Sequence, residues 1–361
     1  MILIKYIFLM QKAELKYNEI KTYYLKKVWI KMCKKISSEK IAELANVSQP
    51  TVSRAFNPES NISEKTRQKI LNIAREWNYK PNALARGLIT NKSKLIGIAM
   101  KEKQNPFYYE VLSIFTKKLK EYGFSVLFVY TENEEIQQDE IEKFWEYNVE
   151  AIVITDALLS SHIVKKLKNA QIPVVLFNRE DDSSQCNSVS SDNIYASKSI
   201  AKYYFEKGFK KILYISGETN TSTNRDRFYG FNEFFKHYNI KIDVIEGDFT
   251  FETAYQKTLA YLKKGDLPNG IFGANDITAL GALEATKELS FNVPDDIEII
   301  GFDDIKMASW PNNQLTTWSQ PINQMVEETI KILLTEGNIE NRRVKIKGEL
   351  KFRNTTSNKI K

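Results

Sequence analysis

Cysteine and histidine are scarce in this chain of 361 residues: Cys33, Cys186, His162 and His237 are all there are. Two thiols are too few for a disulfide framework or a cysteine metal site, so a reducing cytoplasm is the expected setting. His162 near an expected helix start and His237 on an amphipathic stretch have no triad or metal partner at useful spacing. A glycine-rich phosphate loop is also missing. These absences argue against an enzyme, and no metal or cofactor is expected. Long apolar runs are missing as well. The opening MILIKYIFLM contains Lys5 and is too short for a membrane span, and no small-residue cleavage site follows it.

With 42% hydrophobic and 27% charged residues, the composition is that of a globular protein able to bury a sizeable core. The length implies a head plus a larger body. The net charge of +7 is unevenly placed. Met1–Ile30 carries six Lys against two acidic residues, and Lys31–Lys94 carries thirteen Lys or Arg against five. The remainder is net acidic, with 33 basic and 38 acidic residues. A basic front quarter on an otherwise acidic chain suits a polyanionic partner at that end.

Residues 1–35 are the least interpretable. The expectation is that Met32 is the true start and that the residues before it are an annotation artefact or a disordered extension. From Ser37 the pattern tightens into three short helices. Ser37 is the expected cap of the first, with Glu39 in its first turn and Ile41, Leu44 and Ala45 on its apolar face. Asn46 tolerates the left-handed conformation that a tight turn between helices requires. Ser48 is expected to cap the second helix, with Pro50 in the first turn and Val52 and Phe56 inward. After the Asn57-Pro58 stop, Ile62-Ser63 opens a third helix, on which Ile70, Ala74 and Trp77 share one face. The second helix leaves Gln49, Pro50, Thr51, Ser53 and Arg54 outward. Arg can grip guanine bidentately, while hydroxyls and amide N–H groups at a helix start suit phosphates.

From Leu95 the pattern changes to apolar runs separated by amphipathic stretches: LIGIAM, SVLFVY, AIVIT, VVLF, KILYIS, VIEG, GIFGA and IEIIG. This predicts doubly wound parallel sheets. Polar and aromatic groups recur where these strands end: Asn105 to Tyr108, Asn178-Arg179, Asp248-Phe249, Asn275-Asp276 and Asp303-Asp304. Carboxylates, amides and guanidinium groups can bind adjacent hydroxyls, and an aromatic face can cover a sugar or a base. Bland readings stand beside these: Asn275 or Asp276 capping the next helix, Phe107 in the core, Arg227 paired with a surface acid, Asp192-Asn193 as a cap at a crossover.

The segment VSQPTVSRAFN, followed by ISEKTR, WNYKPNALARGL and IGIAM, resembles the LacI/GalR transcriptional regulators, over about Ser37 to Ser357. Two departures are Asn46 in place of the usual turn Gly and Lys40 where an acidic residue is common, which removes a capping box. The resemblance implies an all-α helix-turn-helix head plus an α/β body of two doubly wound parallel-sheet subdomains resembling periplasmic binding proteins. It places the head at 36–79, a hinge helix and linker at 80–94, and the body at 95–357. Lobe 1 is then about 95–190 and 320–345, and lobe 2 about 191–317 and 346–357. The chain is expected to cross between lobes near Val189–Asp192, Leu315–Gln320 and Val344–Lys347.

The resemblance also assigns sites. It puts Gln49, Pro50 and Arg54 on base edges and Thr51, Ser53 and Asn57 on phosphates, with Ser48, Asn82 and Arg86 as further DNA contacts. Pro50 offers only apolar contact. Leu88 is the implied wedge in the minor groove at the operator centre, on a hinge that Gly87 and its shortness keep from folding unaided. The ligand set it implies is Phe107, Tyr108, Asn178, Arg179, Arg227, Phe249, Asn275 and Asp303, in a cleft at the carboxyl ends of strands.

The function implied is a cytoplasmic, nucleoid-associated transcription regulator, in this family most often a repressor. It would bind a near-palindromic operator as a homodimer under the control of a small effector, a sugar foremost. The C-terminal LKFRNTTSNKIK carries no heptads, which favours a dimer over a coiled-coil tetramer. The alternative from another class is a secreted sugar-binding protein of a transport system, which the body alone would allow and the basic helix-turn-helix disfavours.

Overall fold

In the computed structural model the described residues are 36–57, 60–81, 92–101, 105–133, 135–157, 159–180, 186–335 and 341–357. Their front part is helical: α1 (Ser38–Ala45), α2 (Gln49–Ala55) and α3 (Glu64–Glu76). The Ser37 hydroxyl accepts from Lys40 N, and Ser63 does the same for Thr66 N, so both helices begin on side-chain caps. Asn46 ends α1 at φ 52°, ψ 54°, the left-handed conformation expected there. Ile41, Ala42, Ala45, Val52, Ala55 and Ile70 form the small core, flanked by the half-buried Phe56 and Trp77. Leu44, expected inward, is 37% exposed. It falls on the edge of the stripe that Ile41 and Ala45 already fill.

The chain divides into two compact units, Met1–Asn91 and Lys92–Lys361. The second holds two six-stranded sheets. The first sheet contains β1 (Leu95–Lys101), β2 (Ser125–Thr131), β3 (Ala151–Ile154), β4 (Val174–Phe177), β5 (Asn187–Ser191) and β11 (Arg343–Ile346). The second contains β6 (Lys211–Ser216), β7 (Lys241–Glu246), β8 (Gly270–Gly273), β9 (Glu298–Asp303), β10 (Thr316–Ser319) and β12 (Glu349–Lys351). Their strand orders, β11-β5-β4-β3-β1-β2 and β12-β10-β9-β8-β6-β7, follow one pattern. Every pairing is parallel except β10 with the final β12.

Both faces of each sheet are covered, which explains why the inner strands read as unbroken apolar runs. In β3, Ala151 and Val153 join one apolar cluster while Ile152 and Ile154 join another on the opposite face. In the second sheet Ile212 and Tyr214 face one cluster, Leu213 and Ile215 the other. The chain passes from the first lobe to the second between β5 and the helix α7 (Asn193–Glu206). It returns after β10 into α11 (Ile322–Leu334), which packs on β4 and β5, and crosses once more between β11 and β12. These crossover strands are rich in buried hydroxyls, among them Ser188, Ser190, Ser191, Thr316 and Thr317.

In each lobe the first strand is flanked by the second on one side and the third on the other: β1 by β2 and β3, β6 by β7 and β8. Such a switch in strand order opens a crevice at the carboxyl ends. The segments that follow β1, β4, β7, β8 and β9 gather there. Among the described residues no helix is long and apolar enough to cross a membrane.

Candidate functional site

The outer face of α2 presents Ser48, Gln49, Pro50, Ser53, Arg54 and Asn57, all exposed, with Thr51 half-buried. Ser48 sits at the cap position of α2, but its hydroxyl does not cap the helix. A cap oxygen serves the second or third N–H of a helix. Pro50 has none, and Thr51 N donates to the Ser48 carbonyl at 2.9 Å. The Ser48 hydroxyl pairs instead with Thr51 Oγ1 at 2.8 Å. Gln49 is not free either: its Nε2 donates to Ser38 Oγ at 2.8 Å, linking the starts of α1 and α2. Asn82, Arg86 and Leu88, with most of the expected hinge, lie outside the described residues.

Two basic side chains counted toward the charge of the head work inside it. Arg67 on α3 donates to the carbonyls of Ala55, Asn57 and Ser60 at 3.1, 2.7 and 3.0 Å. Lys69 donates to the carbonyl of Ala45 at 2.7 Å. The bonds to Ala45 and Ala55 serve carbonyls at the ends of α1 and α2, and those to Asn57 and Ser60 tie α3 to the turn after α2. The helix α2 is thus held from behind by a guanidinium.

In the second unit one cavity is lined by Asn105, Phe107, Tyr108, Asn178 and Arg179 from the first lobe and Thr223, Arg227, Phe249, Asn275 and Asp303 from the second. All eight residues of the expected ligand set are at this wall; Asn105 and Thr223 join them. Counted to its mouth, the space is at most about 330 Å³. The lobes supply matching parts. The Asn105 carboxamide oxygen accepts from Phe107 N and caps α4 (Pro106–Glu121), and its Nδ2 donates to Asp303 Oδ2 across the cleft at 3.2 Å. In the second lobe the Asn275 oxygen accepts from Thr278 N and caps α10 (Asp276–Glu288), leaving Nδ2 toward the cavity without a protein partner. The capping and cleft-lining readings of Asn275 therefore hold together, on different atoms. Phe107 likewise is both core and wall.

Arg227, on α8 (Ser222–Phe235), does not pair with a surface acid. It is 2% exposed and donates to Asn193 Oδ1 at 2.9 Å and to the Ala274 carbonyl at 2.5 Å. Its guanidinium lies 3.6 Å from the Phe302 ring centre, with Nη2 3.7 Å from Asp303 Oδ1. Asn193 thus orients Arg227, while Asp192 caps α7 by accepting from Tyr195 N. Arg179 is satisfied on one side only. Its Nη2 donates to the Asp156 carbonyl at 3.2 Å, whereas Nε and Nη1 meet no protein acceptor. The Asn178 oxygen is also buried without a donor. Backbone geometry concentrates here as well: Asn178, Asp248, Phe249, Asp303 and Asp304 all have positive φ. Gly217 is required because a Cβ there would collide with the Phe249 ring.

Burial dominates the electrostatics. It pulls the Arg227 guanidinium below its usual pKa, an effect that the Asp303 charge opposes. It pushes the Asp303 carboxyl up, opposed by Arg227 and by hydrogen bonds from Asn105 and Gln320. Tyr108 is raised for the same reason. Behind the wall, Asp276 is pushed up to about 8 by burial and then by the Asp303 charge. Its two oxygens accept from Thr317 Oγ1 at 2.5 Å and Ile305 N at 2.8 Å. Gly301 leaves room for it, since a Cβ there would strike Asp276 Oδ1. Gln320, on the crossover after β10, donates to Asp303 Oδ1 at 2.7 Å. Asn105 is among the strand-end groups expected at the cleft but not in the expected ligand set; Thr223, Gln320 and Asn193 are additions, Asn193 with only a cap signature in sequence and the other two with no pattern.

Both histidines are exposed: His162 lies in the first turn of α6 (Ser161–Asn169), and His237 follows the end of α8. Among the described residues no group of three or more His, Cys, Asp or Glu side chains could hold a metal ion.

Known proteins match both units. A family described as "Periplasmic binding protein domain" matches residues 96–335, and "Bacterial regulatory proteins, lacI family" matches 39–82. The HTH-type transcriptional repressor PurR of Vibrio vulnificus is 30% identical over 81% of this chain and 90% of its own length. The ribose operon repressor of Halalkalibacterium halodurans is 28% identical over 82% of this chain and 88% of its own. Among solved structures, the lac repressor dimer bound to operator and the anti-inducer ONPF aligns with a TM-score of 0.82 and 25% identity, covering 90% of this chain and all of that one. Helix-turn-helix head, paired α/β lobes and likeness over most of the chain together mean that the chain belongs to the LacI family of bacterial regulatory proteins, as a DNA-binding regulator under ligand control.

Proposed function

We propose that the chain is a homodimeric transcriptional repressor whose affinity for a near-palindromic operator is set by a sugar bound between the lobes. The observation that carries the ligand class is the set of buried polar atoms at the cleft without protein partners: Arg179 Nε and Nη1, Asn275 Nδ2 and Asn178 Oδ1. Buried polar groups are nearly always hydrogen-bonded, and one left unmade costs about 1–3 kcal/mol. The set contains donors and an acceptor side by side, so the ligand must both accept and donate, as hydroxyl groups do. Phe107, Tyr108 and Phe249 cover its C–H faces, and Arg227 and Asp303 complete the polar ring. The name of the ribose operon repressor supports the sugar, and those of both relatives support repression. The lac repressor complex supports dimer and operator.

In this reading Gln49, Pro50 and Arg54 meet base edges, Ser48, Thr51, Ser53 and Asn57 meet phosphates, and Asn82, Arg86 and Leu88 act in the hinge, Leu88 as the minor-groove wedge. The ligand changes lobe closure and so the population of the DNA-fitting arrangement, a coupling of about 1–3 kcal/mol. The test is binding to fragments from the gene's own neighbourhood across a salt series, alone and with D-ribose, other monosaccharides and nucleosides. Expected are one site that survives competitor DNA, affinity that falls steeply with salt, and a shift with one sugar. Equal binding to any DNA, or a response to a nucleoside and to no sugar, overturns the proposal.

A further inference from the structure

We propose that Arg353, assisted by Lys351, is a positioning residue for the effector site: from the C-terminal segment it holds the turn that aims the Asp303 carboxylate into the cleft. The inference rests on the reading of Asp303 as an effector contact. Neither Arg353 nor Lys351 lines the cavity.

Strand β9 ends in two consecutive non-glycine residues with positive φ, Asp303 at 125° and Asp304 at 60°. Both carry a Cβ, for which this region is unfavourable, so surrounding contacts must impose the turn. The Asp303 side of the turn faces the cleft, where its carboxylate accepts from Asn105 of the first lobe and Gln320 of the crossover. The Asp304 side faces the chain end. There Arg353 Nη2 donates to Asp304 Oδ1 at 2.5 Å, and Lys351 Nζ lies 3.1 Å from Oδ2. Arg353 is itself fixed, with Nη1 on the Leu315 carbonyl at 2.8 Å and its backbone N on Thr316 Oγ1 at 2.8 Å. Burial alone would raise the Asp304 carboxyl, yet hydrogen bonds from Arg353 and Lys351 hold it below the ordinary carboxylate range. The contact between the Asp304 carboxylate and the guanidinium is thus charge-assisted.

Adjacent residues share a peptide plane. Anchoring the Asp304 carboxylate fixes the direction in which the Asp303 side chain leaves the backbone. Two contacts also hold the backbone of the turn, Asp304 N on Thr317 Oγ1 at 3.3 Å and Ile305 N on Asp276 Oδ2 at 2.8 Å, so losing the carboxylate anchor loosens the turn on one side and displaces the Asp303 carboxylate from Asn105 and Gln320. A segment more than forty residues further along the chain thus contributes to effector affinity without touching the effector.

The test uses the full chain with Arg353→Met, Arg353→Lys, Asp304→Asn and Asp303→Asn. Crystal structures without ligand should show the Asp303 carboxylate displaced from Asn105 and Gln320 in R353M and D304N, and restored in R353K. Calorimetry with D-ribose, D-xylose and D-glucose should show that whichever sugar binds the parent protein binds R353M about tenfold or more weakly, with R353K in between. D304N and R353M combined should do no more than either alone. A carboxylate still within hydrogen-bond distance of both partners in R353M, or in D304N if R353M does not fold, overturns the proposal whether or not a sugar binds. D303N that binds the sugar as well as the parent protein overturns the effector reading instead and leaves the structural outcome to be read by itself.

Discussion

The outer face of α2 and the wall of the cleft treat their polar groups in opposite ways. On α2 the candidate DNA contacts other than the half-buried Thr51 are exposed, so water satisfies whatever they leave unpaired, and Gln49 and Ser48 also hold partners of their own. The cleft buries its candidate contacts and still leaves Arg179, Asn178 and Asn275 with unpartnered atoms. An exposed polar face is stable without its partner and tells little about what it binds. A buried one lacks water as a substitute, so in the proposed reading its missing hydrogen bonds describe the ligand. The basic residues show the same division. Arg67 and Lys69 place their charge on carbonyls inside the head, whereas Arg179 Nε and Nη1 have no protein acceptor.

The sharpest way to break this contrast is Arg179→Met, which removes the two idle donors and keeps much of the volume. Hydrogen bonds to a charged group contribute about 1.5–3 kcal/mol each, so effector affinity should fall by roughly a hundredfold, measured by calorimetry, with the melting temperature little changed. An affinity within a factor of about three of the parent protein would mean that the idle donors are not part of the site. Arg67→Met tests the other side. It takes one donor from each of three carbonyls and should destabilise the head by about 2–3 kcal/mol. Operator binding should then fail at a lower temperature while effector binding persists. If the head melts as before, the guanidinium is ornamental and the exposed face needs no support from behind.

How much of this could be seen in the residues follows the same physics. The head was legible because helix caps, the Asn46 turn and the apolar spacing of Ile41, Val52 and Ile70 are local signals. The inner strands were legible because sheets covered on both faces demand unbroken apolar runs. The crossover strands were not, since Asn187–Ser191 and Thr316–Ser319 bury hydroxyls and look like connections. At the cleft, residues that end strands could be placed by topology alone. Thr223 and Gln320 could not, because a side chain that becomes functional through distant partners leaves no spacing to read. The inward role of Arg67 was hidden for the same reason, as its acceptors are backbone carbonyls, which every residue has.

The smallest effect on effector affinity is expected of Asp276→Asn, since Asp276 does not line the cavity, and it separates tension in the wall from the effector contacts themselves. Asp276 is fully buried, and its carboxyl is pushed up to about 8, first by burial and then by the Asp303 charge. An unfolded aspartate titrates near 4. Between those values the folded protein holds a proton that the unfolded chain has released, so stability falls as pH rises across the window. Asn keeps both contacts, since its oxygen can accept from Ile305 N and its N–H can donate to Thr317 Oγ1. The variant should therefore gain on the parent protein steadily from pH 5 to pH 8 and run parallel above it, as read from denaturant midpoints at several pH values. A difference that is flat, or that shrinks with rising pH, would mean that Asp276 is held ionised in the fold. The carboxylates behind the cleft would then form a balanced network like the carbonyl clamp of the head, and only the outer ring of Arg179, Asn178 and Asn275 would await a ligand.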